Sequence, residues 1–486
     1  MDARTDPGQV KSLTHNEARL IVIGMLLPVF MGSLDNTILA SALPTIGRDF
    51  GDVHSLPWLI TIYLLASTAV VPLYGKVSDI HGRRFALRIA IAMYMLGSLT
   101  CALAPNMLVL ILGRALHGLG GGGLASIGAV ILGDVAAPKE RGRYYAYFAV
   151  VYTTAGASGP VLGGFLSDYL HWSAIFWLNI PLGLTAAAVT TILLRGLPRH
   201  ERPHRLDVIG AVLIVTASVA FMLGLNLGGR SYDWLSPPIL ALFAIALVIG
   251  AGFLWRLATA PEPLIPIDVL RNRSVLCSVI AHSFGWGSII GLNIFLPMYL
   301  QNVVGLTPTD AGLSLMILMI ALNVSAGLSG YMLGRMIRYK LIPIAGLLIA
   351  IASTATLAWW VDRVSLIWFE ILLIVIGLGF GPLPGLTQVS VQNSVGRHQL
   401  GISVGTMNFV RNLLATMLVA TFGAIVAGAA SVGPGGGALG GALDPAAAEA
   451  FRRVFFSVAG TLTVALIAVL LLEEKPLQTG IAPERK

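Results

Sequence analysis

Gly75-Lys-Val-Ser-Asp79-Ile-His-Gly82-Arg83-Arg84 stands between two long apolar runs, Trp58–Tyr74 and Phe85–Leu103. Each run approaches the roughly 20 apolar residues that carry a helix across a bilayer. The charge cluster between them belongs in water, so the pattern reads as span, short basic connection, span. Working outward, the alternation continues along all 486 residues. Earlier and later runs centre on Leu20–Leu43, Met107–Gly133, Tyr145–Leu166, Trp172–Leu194, Val208–Leu227 and Pro237–Trp255. Six more centre on Val275–Leu296, Ala311–Leu333, Leu341–Trp360, Leu366–Leu386, Gly401–Ala427 and Phe455–Leu472. The total is about fourteen spans.

Composition agrees with that count. The chain is 56% hydrophobic and 11% charged, with a mean hydropathy of +0.83. Soluble domains carry about a quarter charged residues, so the bilayer is the expected solvent here. The 55 glycines suit a bundle whose helices approach closely. Cys101 and Cys277 both lie in apolar runs; they offer no disulfide framework and no metal spacing, and read as packing residues. Met1–Arg19 is polar and the first apolar run is too long for a cleaved signal.

The net charge of +8 is distributed as a topology signal and excludes nucleic acid as a partner. Alternate connections hold Lys76, Arg83, Arg84 and Arg88, then Lys139, Arg141 and Arg143, then Arg195, Arg199, Arg202 and Arg205. The same set continues with Arg256, Arg271, Arg273, Arg335, Arg338, Lys340 and Arg397. The opposite set holds little beyond Arg48, Arg230, Arg363, Arg452 and Arg453. Basic residues mark cytoplasmic connections, so both termini are expected in the cytoplasm. The Gly/Ala-rich stretch Gly428–Gly441 then reads as an external, mobile loop.

About 255 residues after Gly75 stands Gly330-Tyr-Met-Leu-Gly334-Arg335-Met-Ile-Arg338-Tyr-Lys340, at the corresponding connection of a second set of six spans. Two parallel halves are one of the main plans of transporters, and neither channels nor receptors require them. The expected fold class is therefore an all-α membrane protein of two six-helix halves plus a two-helix insert. The expected organisation is a cytoplasmic segment 1–19, a first half 20–200, an insert 201–262, a second half 263–472 and a cytoplasmic tail 473–486. One chain holds both halves, which makes a monomer the expectation.

Four motifs in the first half add to this. The first span contains Leu34-Asp35-Asn36-Thr37-Ile38 and Ala42-Leu43-Pro44-Thr45-Ile46; the basic connection is the second. The fourth span contains Arg114-Ala-Leu-His117-Gly118-Leu-Gly120, and the fifth contains Gly156-Ala-Ser-Gly159-Pro160-Val-Leu-Gly163-Gly164. Trp172-Ser-Ala-Ile-Phe176-Trp177-Leu-Asn179-Ile-Pro181-Leu-Gly183 follows in the sixth. At these residues, from Leu34 to Gly183, the chain resembles the major facilitator superfamily, and within it the fourteen-helix drug:proton antiporters.

That resemblance implies alternating access around a central cavity. It also implies proton-coupled export of small amphipathic compounds such as drugs or toxic metabolites from a cell membrane. The energy source would be the proton gradient, with no cofactor. The conformational switch would comprise Gly75, Asp79, Gly82, Arg83 and Arg84, together with Gly156, Gly159, Pro160, Gly163 and Gly164. Asp79 can accept hydrogen bonds from a neighbouring helix N-terminus, where the dipole favours a carboxylate. The family commonly has a basic residue at the position of Ile80, which removes one strut of this latch, and Gln at the position of His117. Glycines at 156, 159 and 163 make a flat stripe, and Pro160 is expected to bend the fifth span. Uptake symport, or export of an anionic or neutral metabolite, remains the alternative.

Ionisable residues inside spans are costly and point to function. Asp35 and Arg114 both lie roughly 10–12 Å below the outer surface at a rise of 1.5 Å per residue, deep enough to pair. Such a pair either couples a proton to transport or fixes helix packing. His117 either carries a proton or packs through a hydrogen bond. Glu370, beside Trp368 and Phe369, either takes a second proton or recognises a cation, or else lies at the outer rim. Arg411, flanked by Asn408 and Asn412, either binds an anionic substrate or bonds across the halves. Tyr63, Trp286 and Asn293 are candidates for the cavity wall, and His282 reads as a packing residue. No nucleotide loop of the Gly-x-x-x-x-Gly-Lys-Ser/Thr type occurs, so ATP is not the expected driver. No convergent nucleophile or metal set is present either, so neither an enzyme nor a metal site is expected.

Overall fold

The computed structural model describes residues 15–52, 55–136, 138–194, 207–229, 232–333, 339–361, 365–396, 399–430 and 445–474. Several sequence features lie outside them: both chain ends, residues 195–206 and 431–444, Gly334 to Arg338, Arg363, Arg397 and the side chain of Pro160. The first half contains α1 (His15–Phe50), α2 (Leu56–His81), α3 (Arg83–Ala102), α4 (Met107–Val135), α5 (Pro138–Tyr169) and α6 (Ala174–Leu193). Next come α7 (Val208–Leu227), α8 (Pro237–Thr259) and the short α9 (Ile267–Arg271). The second half contains α10 (Arg273–Asn302), α11 (Pro308–Leu333), α12 (Leu341–Trp359), α13 (Leu366–Phe380), α14 (Pro382–Ser394), α15 (Leu400–Ala430) and α16 (Pro445–Leu471). Among the described residues, 14 helical stretches are long and apolar enough to cross a membrane, α13 and α14 together forming one. A helix bonds every interior backbone group to itself, which is what hydrocarbon demands.

The basic connection is shorter than its charge suggests. α2 runs to His81 and α3 begins at Arg83, so Gly82 alone turns the chain, at φ +87°. A side chain is strained at that φ, whereas glycine is not. Gly75 to His81 are thus helical and not loop. The twelfth span also differs: it continues to Ser394, with Pro382 starting a new helix directly after Gly381. At the other notable difference, residues 428–430 of the stretch read as a loop continue α15. Polar caps fix several starts. Asn106 accepts a hydrogen bond from Val109 N at 3.0 Å at the start of α4. Asp207 caps α7 through Gly210 N and ties it to α8 through Arg256, 3.1 Å away.

α1–α6 enclose their own apolar clusters, one around Met25, Tyr94 and Ile127 and one around Leu34, Ile38 and Phe176. α10–α16 enclose another, around Tyr299, Phe380, Phe451 and Phe455. α7 and α8 rest outside, packing Ala211, Ile214 and Phe253 against Val71 of α2 and Phe409 of α15. The two halves meet where α2 packs on α15 and α5 packs on α11. Each meeting is backbone on backbone: Gly75 against Gly401, and Gly330 against Gly142. The two glycines matched by the internal repeat, Gly75 and Gly330, therefore make equivalent contacts. Nearby, Gln392 donates to Ala129 O (3.1 Å) and to Tyr145 Oη (2.8 Å). These contacts hold the halves together at the end of the bundle that carries Gly82.

Candidate functional site

Asp35 of α1 and Arg114 of α4 do pair. Arg114 Nη1 donates to both Asp35 carboxylate oxygens, at 2.7 and 2.9 Å, and each residue is 1% exposed. Arg114 Nε donates to Leu59 O of α2 at 3.0 Å, and the Tyr63 ring lies 4.3 Å from the guanidinium carbon. His117 Nδ1 stands 3.0 Å from Arg114 Nη1 and 3.5 Å from Asp35 Oδ1. Nδ1 facing a guanidinium acts as the acceptor, which assigns the ring proton to Nε2. That Nε2 is buried with no hydrogen-bond partner. The ring is held by Tyr94, 4.0 Å away between centroids.

The glycines of α4 explain why so much fits here. Gly118 and Gly121 bring α4 directly against Tyr63, Gly120 against Tyr94, and Gly97 of α3 against the His117 backbone. Any side chain at these positions would push α2 or α3 away and lift Tyr63 off the arginine. Removing one member of such a buried ion pair typically costs about 3–5 kcal/mol, because the other charge stays behind.

A second centre lies at the Gly82 end. Asp79 Oδ1 accepts from Gly401 N (3.0 Å) and Oδ2 from Ile402 N (2.8 Å), at the first turn of α15. The unsatisfied N–H groups and the dipole of that turn favour a carboxylate. Arg83 bonds Asp79, Ser78 Oγ (3.1 Å) and Asp134 Oδ2 of α4 (2.7 Å). Asp79 thus links the first half to the second, while Arg83 anchors it to α4. Arg84 lies half-buried beside it, and Ile80 is buried.

α5 runs as one helix through Pro160. Gly159 packs on Thr37 and Gly163 on Ile38 and Ser41 of α1, while Gly156 and Gly164 face open space. The close contact is therefore carried by two of the stripe's glycines. Thr37 Oγ1 also donates to Ala155 O at 3.1 Å.

In the second half, Arg411 of α15 lies with its guanidinium carbon 5.0 Å from the Trp286 ring centre of α10. Its Nε and Nη2 donate to Asn412 Oδ1, both at 3.1 Å, and Asn412 Nδ2 reaches Thr68 Oγ1 of α2 at 3.3 Å. His282 stacks beside Trp286 and its Nδ1 lies 2.8 Å from Thr387 Oγ1. Glu370 sits half-buried between α13 and α11, accepting from Ser314 Oγ at 3.4 Å. Asn293 is half-buried and donates back to Ile289 O of its own helix.

A family model described as the Major Facilitator Superfamily matches residues 25–420. The chain belongs to that superfamily. It is 30% identical over 414 residues to the multidrug transporter protein MdtP of Bacillus subtilis, covering 85% of this chain and 76% of that protein. It is 32% identical over 418 residues to the efflux pump dotC of Dothistroma septosporum, covering 82% and 69%. Among solved structures, the human organic anion transporter MFSD10 superposes with a TM-score of 0.65 at 16% identity, over 93% of this chain and 99% of that one. At that identity the likeness shows the fold. As a superfamily member the chain is a multi-pass membrane protein of a transporter family.

In this superfamily member depth along the spans matched Asp35 to Arg114, while the family resemblance put His117 in one motif with Arg114 and gave Asp79 a helix N-terminus as its partner. Sequence reasoning missed Asp134, whose position at the same end as Arg83 was the available signal. It also missed Gln392, an amide two residues from the end of an apolar span, and the glycines Gly142 and Gly401. The aromatic candidates separate: Tyr63 belongs with Arg114 and Trp286 with Arg411.

Proposed function

We propose that this chain is a proton-driven exporter of small amphipathic compounds, drugs or toxic metabolites among them, working by alternating access in a cell membrane. The observation that carries this is the fully buried Asp35–Arg114 pair, in a chain whose relatives include a multidrug transporter and an efflux pump. With Asp35 ionised, the pair is neutral as a unit. A proton on Asp35 leaves the Arg114 charge inside a medium of low dielectric, with Leu59 O, His117 Nδ1 and the Tyr63 ring as its remaining partners. That destabilises this arrangement relative to one in which Arg114 gains water.

The disturbance has a route outward. α1 packs on α5 at Gly159 and Gly163, and the other end of α5 meets the second half at Gly142 and Gly330. A shift of α1 relative to α4 therefore bears on the contact that closes the Gly82 end. Positive charge around Gly82 supports a cytoplasmic position for that end and for both termini. The present arrangement is then sealed on the cytoplasmic side, with Asp79 as the latch. Glu370 is the second carboxylate we assign to proton handling. The chain works as a monomer and needs no cofactor.

The test is proton movement coupled to substrate. Proteoliposomes loaded with a pH-sensitive dye are given an outward gradient of an amphipathic compound drawn from a panel of cations, anions and neutrals. Antiport predicts proton flow opposite to at least one compound. Transport that proceeds equally with the proton gradient collapsed, and moves no protons, contradicts it.

A further inference from the structure

Arg411 is the twelfth residue of the 31-residue α15, which puts its Cα about 16 Å along the helix from the Gly82 end. That is near the middle of a hydrocarbon core about 30 Å thick. Three other arginines bonded within the bundle have carboxylates, Asp35 for Arg114, Asp79 and Asp134 for Arg83, and Asp207 for Arg256, while Arg141 bonds the carbonyls of Gly133 and Ala136 at the Gly82 end. Arg411 has none among the described residues. Its partners are the neutral Asn412 amide, the face of Trp286 and the electrostatic influence of Tyr152 from α5. Of its nitrogens, Nη1 has no acceptor among the described residues, and the side chain is only half-buried. Helices of both halves converge here: α2 through Thr68 and α5 through Tyr152, against α10 and α15. One turn beyond Tyr152, Gly156 faces open space.

We infer that this centre binds the anionic group of the substrate, which makes the transported class amphipathic organic monoanions with an aromatic or apolar body. A charge held at mid-membrane without a counterion is costly, and intramembrane arginines are otherwise paired. A carboxylate fits the free edge of the guanidinium, which presents parallel donors. Trp286 holds the other face of that guanidinium and extends an apolar wall from it. Asn412 fixes the fork by taking Nε and Nη2 on one oxygen, which leaves Nη1 directed to the ligand. Because Thr68 binds Asn412 from the first half, the site spans the two bodies that move during transport. In a one-for-one exchange, a monoanion leaving and a proton entering move charge in the same electrical sense, so an interior-negative potential assists both.

This inference rests on the exporter reading for direction, but its test does not need transport. Dansylglycine and its uncharged methyl ester are titrated, by dansyl fluorescence, against the full chain in lipid nanodiscs, with empty discs subtracted. The wild type is expected to bind the acid at least about tenfold more tightly than the ester, as a charge-assisted hydrogen bond supplies. Arg411→Gln is expected to bring the two affinities within about twofold. Arg411→Lys, which keeps the charge but not the fork, is expected to keep an intermediate preference. Size-exclusion profiles and thermal unfolding check that both variants are folded. Equal binding of acid and ester by the wild type, no binding of either, or a preference that survives in Arg411→Gln each overturns the site. Acid-selective binding without gradient-driven export would leave the site standing and sink the exporter. Gradient-driven export of a lipophilic cation with no acid preference would do the reverse.

Discussion

Replacing Gly142 or Gly330 by alanine tests how the halves close. A Cβ on Gly142 would stand 2.6 Å from Gly330 O and 3.0 Å from Gly330 Cα, where ordinary contact begins near 3.4 Å. Both atoms are backbone of a helix, so neither can rotate away; α5 and α11 have to part by most of an ångström. Overpacking of this kind costs about 1–3 kcal/mol. An arrangement open at the Gly82 end lacks the contact and escapes that cost. The ratio of open to closed molecules should therefore rise about 5- to 150-fold in Gly142→Ala, and further in the double variant. The readout is a pulsed electron–electron resonance distance between spin labels at His81 and Leu341, both exposed, with the buried Cys101 and Cys277 changed to serine. Gly460→Ala on α16, where nothing stands within 4 Å, is the control. Unchanged distance distributions in the Gly142 and Gly330 variants would refute the idea that this contact closes the bundle.

Other perturbations act on the same equilibrium. Asp79→Asn removes a charge from the first turn of α15 while Arg83 keeps Asp134, so closure should weaken by about 1–2 kcal/mol. The same labels should report it, and adding Asp134→Asn should cost more than the sum of the single changes, because Arg83 then loses both carboxylates. Gln392→Ala loses bonds to Ala129 O and Tyr145 Oη and should open the Gly82 end about fivefold, for roughly 1 kcal/mol. Tyr145→Phe should do less, since Gln392 keeps Ala129.

What could be read from the chain alone follows from where burial imposes a cost. Asp35 and Arg114 announced each other because two charges at one depth in hydrocarbon have few alternatives. Asp79 was matched to a helix N-terminus through the family resemblance and not through depth, since its partner, the first turn of α15, carries no signature of its own. Gly82 was hidden by its neighbours: Lys76, Asp79, Arg83 and Arg84 look like a loop, yet the helix continues until one glycine turns it. Tyr63 shows a different limit. An aromatic in a span can face lipid, cavity or another side chain, and its angle about the helix depends on how close α4 comes. That closeness is set by Gly118 and Gly121, whose partners lie on another helix. Gly75 and Gly330 could be matched by the repeat, but Gly401 and Gly142 could not, because packing of one half on the other leaves no periodic trace in either.

The central claim is that a proton on Asp35 drives export, and comparing wild type with Asp35→Asn in proteoliposomes tests it most directly. Export of a transported compound is followed with and without an imposed pH gradient, and proton counterflow is recorded in the same vesicles. The account predicts gradient-stimulated export with counterflow in the wild type, and neither in Asp35→Asn, even where downhill movement survives. Gradient-stimulated export at the wild-type rate in Asp35→Asn would contradict it and leave the Asp35–Arg114 pair a fixed brace between α1 and α4.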